Sequence, residues 1–146
     1  MKLSKLDNCE MRNKKIILDT NLWISFLISK KFTQLDKLIE NKQITLIFSD
    51  ELIGEFVDVV SRSKFEKYFS KNDIEKILHY FEHYGKLIKV KSDIKICRDE
   101  KDNFLLNLSV DSKADYLITG DNDLLVLDKI ERTQIINFLE FIKHIG

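Results

Sequence analysis

The chain has 146 residues, the length of one ordinary domain, and its 44% hydrophobic content is enough for a single core. Its 24 basic and 24 acidic residues cancel, which excludes a general electrostatic pull toward nucleic acid or an anionic membrane, so any nucleic-acid contact must come from a local patch. Two cysteines, Cys9 and Cys97, are too few for a disulfide scaffold, and neither an apolar leader core over residues 1–15 nor a membrane-length apolar run is present; a reduced, cytoplasmic protein that does not enter a membrane is expected.

Residues 1–13 read as a polar N-terminal extension and residues 14–146 as a single domain. KKIILDTN is a short apolar run ended by turn-prone polar residues, the pattern of a buried parallel strand whose carboxyl end is Asp19. LWISFLI and TQLDKLIENK then carry apolar residues at helical spacing and predict a helix pair crossing the sheet. ITLIFSD is the second strand; Ser49, Asp50 and Glu51 follow it with a cap and acids suited to the start of a helix that runs to about Arg62. After a charged and aromatic connection, Asn72 or Asp73 is placed to cap a helix through IEKILHYFEHYG, with Gly85 ending it. LIKVKS is a weaker strand and SDIKICRDE an irregular approach to the helix KDNFLLNLSVDSKA, whose buried side is read as Phe104, Leu105, Leu108 and Val110. ADYLITGD is the clearest later strand, and RTQIINFLEFIKHIG closes the chain as a short strand and a helix. The alternation predicts an α/β fold with a parallel sheet covered on both faces and functional groups at the carboxyl ends of its strands.

Acids recur at those ends. Asp19 closes the first strand, where the Thr20 hydroxyl and Asn21 amide can hold it. Glu55 falls at the margin of an apolar stripe made by Leu52, Phe56, Val59 and Val60. Asp102 lies in the first turn of its helix, with Asp99 placed as the cap. In TGDND, Gly120 frees the backbone after an apolar strand and Asp121 and Asp123 follow, with Thr119 just before. Helix capping accounts for several of these acids taken singly, and a solvated helix position accounts for Glu55, but neither explains why all of them fall at one sheet edge. Two carboxylates about 5 Å apart repel by roughly 3 kcal/mol at an effective dielectric of about 20, a cost that protons or a cation must remove. All-oxygen ligation of this kind suits Mg²⁺ or Mn²⁺, ions that commonly act on phosphate substrates.

DTNLWIS, SDELIGEFVDVVSR and RDEKDNFLLNLSVDSKADYLITGDNDLL together resemble the PIN-domain family of metal-dependent ribonucleases, most of all the PIN toxins of bacterial toxin–antitoxin pairs. The resemblance covers about residues 14–143 and is carried most specifically by the run from Asp99 to Leu125. It implies a three-layer α/β/α sandwich with a mainly parallel central sheet, and hydrolysis of RNA assisted by Mg²⁺ or Mn²⁺. It further implies a cognate antitoxin protein and a homodimer. Carried over by position, Asp19, Glu55, Asp102 and Asp121 would be the metal-binding and catalytic acids, Asp123 an accessory acid, and Asn21, Thr119 and Asp99 supports.

Weaker signals flank this set. Arg62, Lys64 and Lys67, interleaved with Phe65 and Tyr68, suit contact with RNA through phosphate pairing and stacking, although Glu66 dilutes the patch. His79 and His83 have metal-binding spacing, but Tyr80 stands where the metalloprotease pattern needs Glu. Trp23 reads as core or dimer interface. Two rival functions stay open: an inactive domain of the same fold serving as a binding module, and a phosphatase using Asp19 as nucleophile, which Asn21 disfavours by occupying the place of a second acid.

Overall fold

The structure, a computed structural model, describes residues 13–29 and 32–145; apart from Asn13, the expected N-terminal extension lies outside the described residues. Along the chain run β1 (Lys14–Leu18), α1 (Thr20–Ser29), α2 (Phe32–Glu40), β2 (Ile44–Phe48), α3 (Asp50–Val60) and a 3₁₀ turn at Ser63–Phe65. There follow α4 (Lys71–Tyr84), β3 (Gly85–Leu87), α5 (Glu100–Ser112), β4 (Tyr116–Ile118), α6 (Asn122–Leu125), β5 (Lys129–Ile130), β6 (Thr133–Ile136) and α7 (Phe138–Ile145). The sheet has the order β3-β2-β1-β4-β6-β5 and is parallel except for β5, which pairs antiparallel with β6.

Each parallel connection is a helical crossover, and the preferred right-handed sense puts α1 to α4 on one face and α5 on the other. Between the two helical layers β1 and β2 are sealed: Ile16, Ile17, Leu46 and Ile47 are at most 1% exposed, which explains their unbroken apolar sequence. On the α1–α4 face, Trp23, Phe48, Phe56 and Phe81 pack ring to ring, with the Phe48 and Phe81 centroids 4.5 Å apart. Trp23 thus belongs to the core. Beyond β1 the order of connection reverses: β2 and β3 lie to one side, β4 and β6 to the other. The crevice outside the carboxyl ends of β1 and β4 is therefore the place where an open α/β sheet gathers functional groups.

Several local expectations need correction. Ser70, rather than Asn72 or Asp73, caps α4, and Asp73 completes a reciprocal capping box with it. Gly85 does end α4, but in extended rather than left-handed backbone, and the chain passes directly into β3, two residues before the expected strand. A side chain there would collide with the Phe48 ring at 2.5 Å and the Phe81 carbonyl at 2.6 Å. In α5, Leu106 is buried with Leu105 and Leu108, whereas Phe104 and Val110 are only half-buried. No described helix is long and apolar enough to cross a membrane.

Candidate metal centre

The centre is built on the pairing of β1 with β4. Leu18 lies beside Ile118, and the Asp19 N–H donates to the Ile118 carbonyl at 3.0 Å, so Asp19 and Thr119 leave adjacent strand ends together. The Thr119 hydroxyl is fully buried; it donates to Asp19 Oδ2 at 2.8 Å and accepts from the Asp121 N–H at 3.0 Å. Asp19 Oδ1 accepts the Asn21 N–H at 3.2 Å, a helix-capping contact that also fixes the carboxylate. The Thr20 hydroxyl, expected to hold Asp19, instead is buried with no hydrogen-bond partner among the described residues. Asp121 caps α6 through the Asp123 N–H at 2.9 Å. Gly120 has no left-handed backbone and open space where a Cβ would stand, so the backbone freedom expected of it is not used.

Across this edge α5 delivers its first turn. Asp99 caps the helix by accepting the Lys101 N–H at 3.0 Å. Asp102, only 6% exposed, brings its carboxylate to Asp121 and Asp123, and ligand oxygens of the three lie within 4.8 Å of one another. Burial, followed by the charges of Asp121, Asp99 and Asp19 and a hydrogen bond with Asp121, pushes the Asp102 carboxyl up to about 6. Glu55 enters half-buried from α3, above its ordinary value mainly through burial; Lys101 opposes that shift, and Asp19 and Asp99 reinforce it. A depression of about 360 Å³ lined by Asp19, Asn21, Leu22, Gly120 and Asp121 opens at the site.

The donor set fits a hard divalent cation: it is all oxygen, it crowds charges that repel one another, and a positive ion would relieve the proton-like demand at Asp102. The structure thus gathers Asp102, Asp121 and Asp123 directly, joins Asp19 through Thr119, and brings Glu55 within electrostatic range. It does not bring Lys64 and Lys67 into contact with the acids; their ammonium groups stand 5.1 and 5.0 Å from the ring centroids of Phe65 and Tyr68. Arg62 pairs with Asp58 at 3.2 Å while remaining near enough to pull on Glu55.

Two groups escaped the sequence reading. Arg98 stands 4.0 Å from Asp123. Asn103 and Asn107, buried on α5, clamp the irregular segment before it: Asn103 accepts the Cys97 N–H at 2.8 Å and donates to the Cys97 carbonyl at 3.0 Å. Asn107 treats Ile94 the same way, at 2.6 and 3.3 Å. Asp111 completes the row by accepting from Ser92. Polar residues every four positions along a helix with a buried face were the available signal.

The sequence profile of the PIN domain matches residues 15–123, a span that holds every acid of this centre. The chain belongs to the PIN-domain family. PIN domains are generally nucleases, hydrolases acting on nucleic acid. An uncharacterized protein of Methanocaldococcus jannaschii is 33% identical over 131 residues, covering 84% of this chain and 80% of its own. In fold, this PIN domain is similar to a chain of VapBC2 from Rickettsia felis, solved bound to a DNA fragment from its promoter. The TM-score is 0.58 at 17% identity, over 85% of this chain and 98% of that one.

Proposed function

We propose that this PIN domain is a metal-dependent endoribonuclease and the toxin of a toxin–antitoxin pair, held in check by a cognate antitoxin protein and acting in the cytoplasm as a homodimer. The observation that carries the reading is the convergence of Asp102, Asp121 and Asp123 within 4.8 Å, with Asp19 tied to the same loop by one hydroxyl. Asp19, Glu55, Asp102 and Asp121 are the metal-binding and catalytic acids in this reading, and Asp123 is the accessory acid. When bound, Mg²⁺ or Mn²⁺ would supply the positive charge that acidifies a water and stabilises the leaving oxygen of a phosphodiester.

The chain's own residues do the rest. Thr119 keeps its proton on Oγ1, directed at Asp19, which fixes the orientation of the carboxylate. The Asn21 N–H holds the other Asp19 oxygen, and Asp99 steadies the first turn from which Asp102 projects. Arg62, Lys64 and Lys67 remain proposed RNA contacts outside the acidic group. A phosphatase using Asp19 as nucleophile stays disfavoured, because residue 21 is an amide where that pattern places a second acid.

The test pairs induced expression with cleavage of RNA in vitro. Wild type is expected to arrest growth and to cut RNA in a reaction stopped by EDTA, and Asp121→Asn to do neither. Equal growth of the two, with no EDTA-sensitive cleavage, rejects the proposal.

A further inference from the structure

We infer that Arg98 and Lys101, at the start of α5, form a phosphate-binding rim beside the acidic centre, through which a polynucleotide is held across it. The inference rests on the nuclease reading and adds the residues that receive the substrate backbone.

A chain with no net charge that gathers five carboxylates at one edge repels a polyanion there, so binding needs cations at the mouth itself. Arg98 is placed for this. Its guanidinium lies 4.0 Å from Asp123 Oδ2, with the two side chains 95% and 64% exposed. An ion pair so exposed contributes little to stability, so folding does not account for the position. The backbone beneath it is nonetheless held firmly, because the Asn103 amide grips both polar groups of Cys97, the preceding residue. A fixed base and a solvent-facing planar fork suit bidentate contact with phosphate oxygens.

Lys101 supplies the second cation. It is exposed in the first turn of α5, next to Asp102 in sequence and three residues after Arg98. A strand crossing the acids therefore passes two cations carried by the start of α5.

The experiment measures binding of a fluorescein-labelled single-stranded RNA by anisotropy across about 50 to 200 mM salt, in Mg²⁺ and in an Asp121→Asn background that leaves the RNA intact. Arg98→Ala with Lys101→Ala is expected to make the log–log salt slope shallower by about 1.4, or about 0.7 per lost contact, without lowering the melting temperature. Lys42→Gln with Lys113→Gln removes the same charge at the opposite edge of the sheet and should leave the slope unchanged. RNA binding with an unaltered slope in the Arg98/Lys101 pair overturns the rim and leaves the nuclease reading standing. No RNA binding by any form, together with no cleavage by wild type, overturns both.

Discussion

At Thr119 one hydroxyl serves two acidic residues, orienting the Asp19 carboxylate and satisfying the Asp121 N–H. Thr119→Val keeps the shape and removes both contacts, leaving the half-buried Asp121 N–H unpaired. Loss of about 1–3 kcal/mol in urea denaturation is expected, with at least about tenfold weaker Mn²⁺ affinity by calorimetry. An unchanged affinity would show that Thr119 only packs. Asp102 behaves in the opposite way, since its buried ionised carboxyl is a liability without a cation. Asp102→Asn should therefore raise the metal-free melting temperature at neutral pH and abolish any further rise on adding Mg²⁺. Sequence alone exposed Asp19, Asp121 and Asp123, because strand ends point outward whatever the details of packing. It misassigned the partner of Asp19: Thr20 is next in the chain, but only β1–β4 pairing shows that Thr119 is next in space.

At the scale of elements, α5 has two tasks, presenting Asp102 from its first turn and holding the extended segment before it. Asn103 and Asn107 each offer one residue, Cys97 and Ile94, both a donor and an acceptor, as a neighbouring strand would. Asn107→Ala should loosen the segment near Ile94 while leaving α5 helical, read as faster hydrogen exchange confined to residues 91–98. Spread of the faster exchange into β1 or β4 would mean that the clamp supports the core itself. Gly85→Ala tests the α4–β3 junction: the added methyl meets the Phe48 ring, and destabilisation of about 1–3 kcal/mol is expected by denaturation. The long periodic elements were legible in the sequence. The four-residue α6 and two-residue β5 were not, because segments so short carry no period and are defined by Asp121 capping and by pairing with β6. Nor was Ser70 as the cap of α4, since Asn72 and Asp73 offered equally good chemistry.

For the whole molecule, the acidic centre links stability to pH and to metal. With Asp102 raised from 3.8 to about 6, the folded state holds a proton that the unfolded chain has released. The stability this confers is full below about pH 4 and is lost as pH rises through about 6. Glu55, shifted in the same direction, adds to the effect. In EDTA, between pH 5 and 7, the melting temperature should fall by about 2–4 °C, equivalent to about 1 kcal/mol, and Asp102→Asn should remove most of that fall. Saturating Mg²⁺ should offset it, adding about 2.7 kcal/mol at a hundred times Kd, because the ion binds the folded arrangement of acids. Asp19 and Thr119 are joined across a hundred residues of chain. The contact between them therefore cannot form until synthesis has passed the third of the four parallel crossovers and β4 has settled against β1. A ribosome making this protein carries separated fragments of the centre until late in translation, so completion of the site is a clock set by topology.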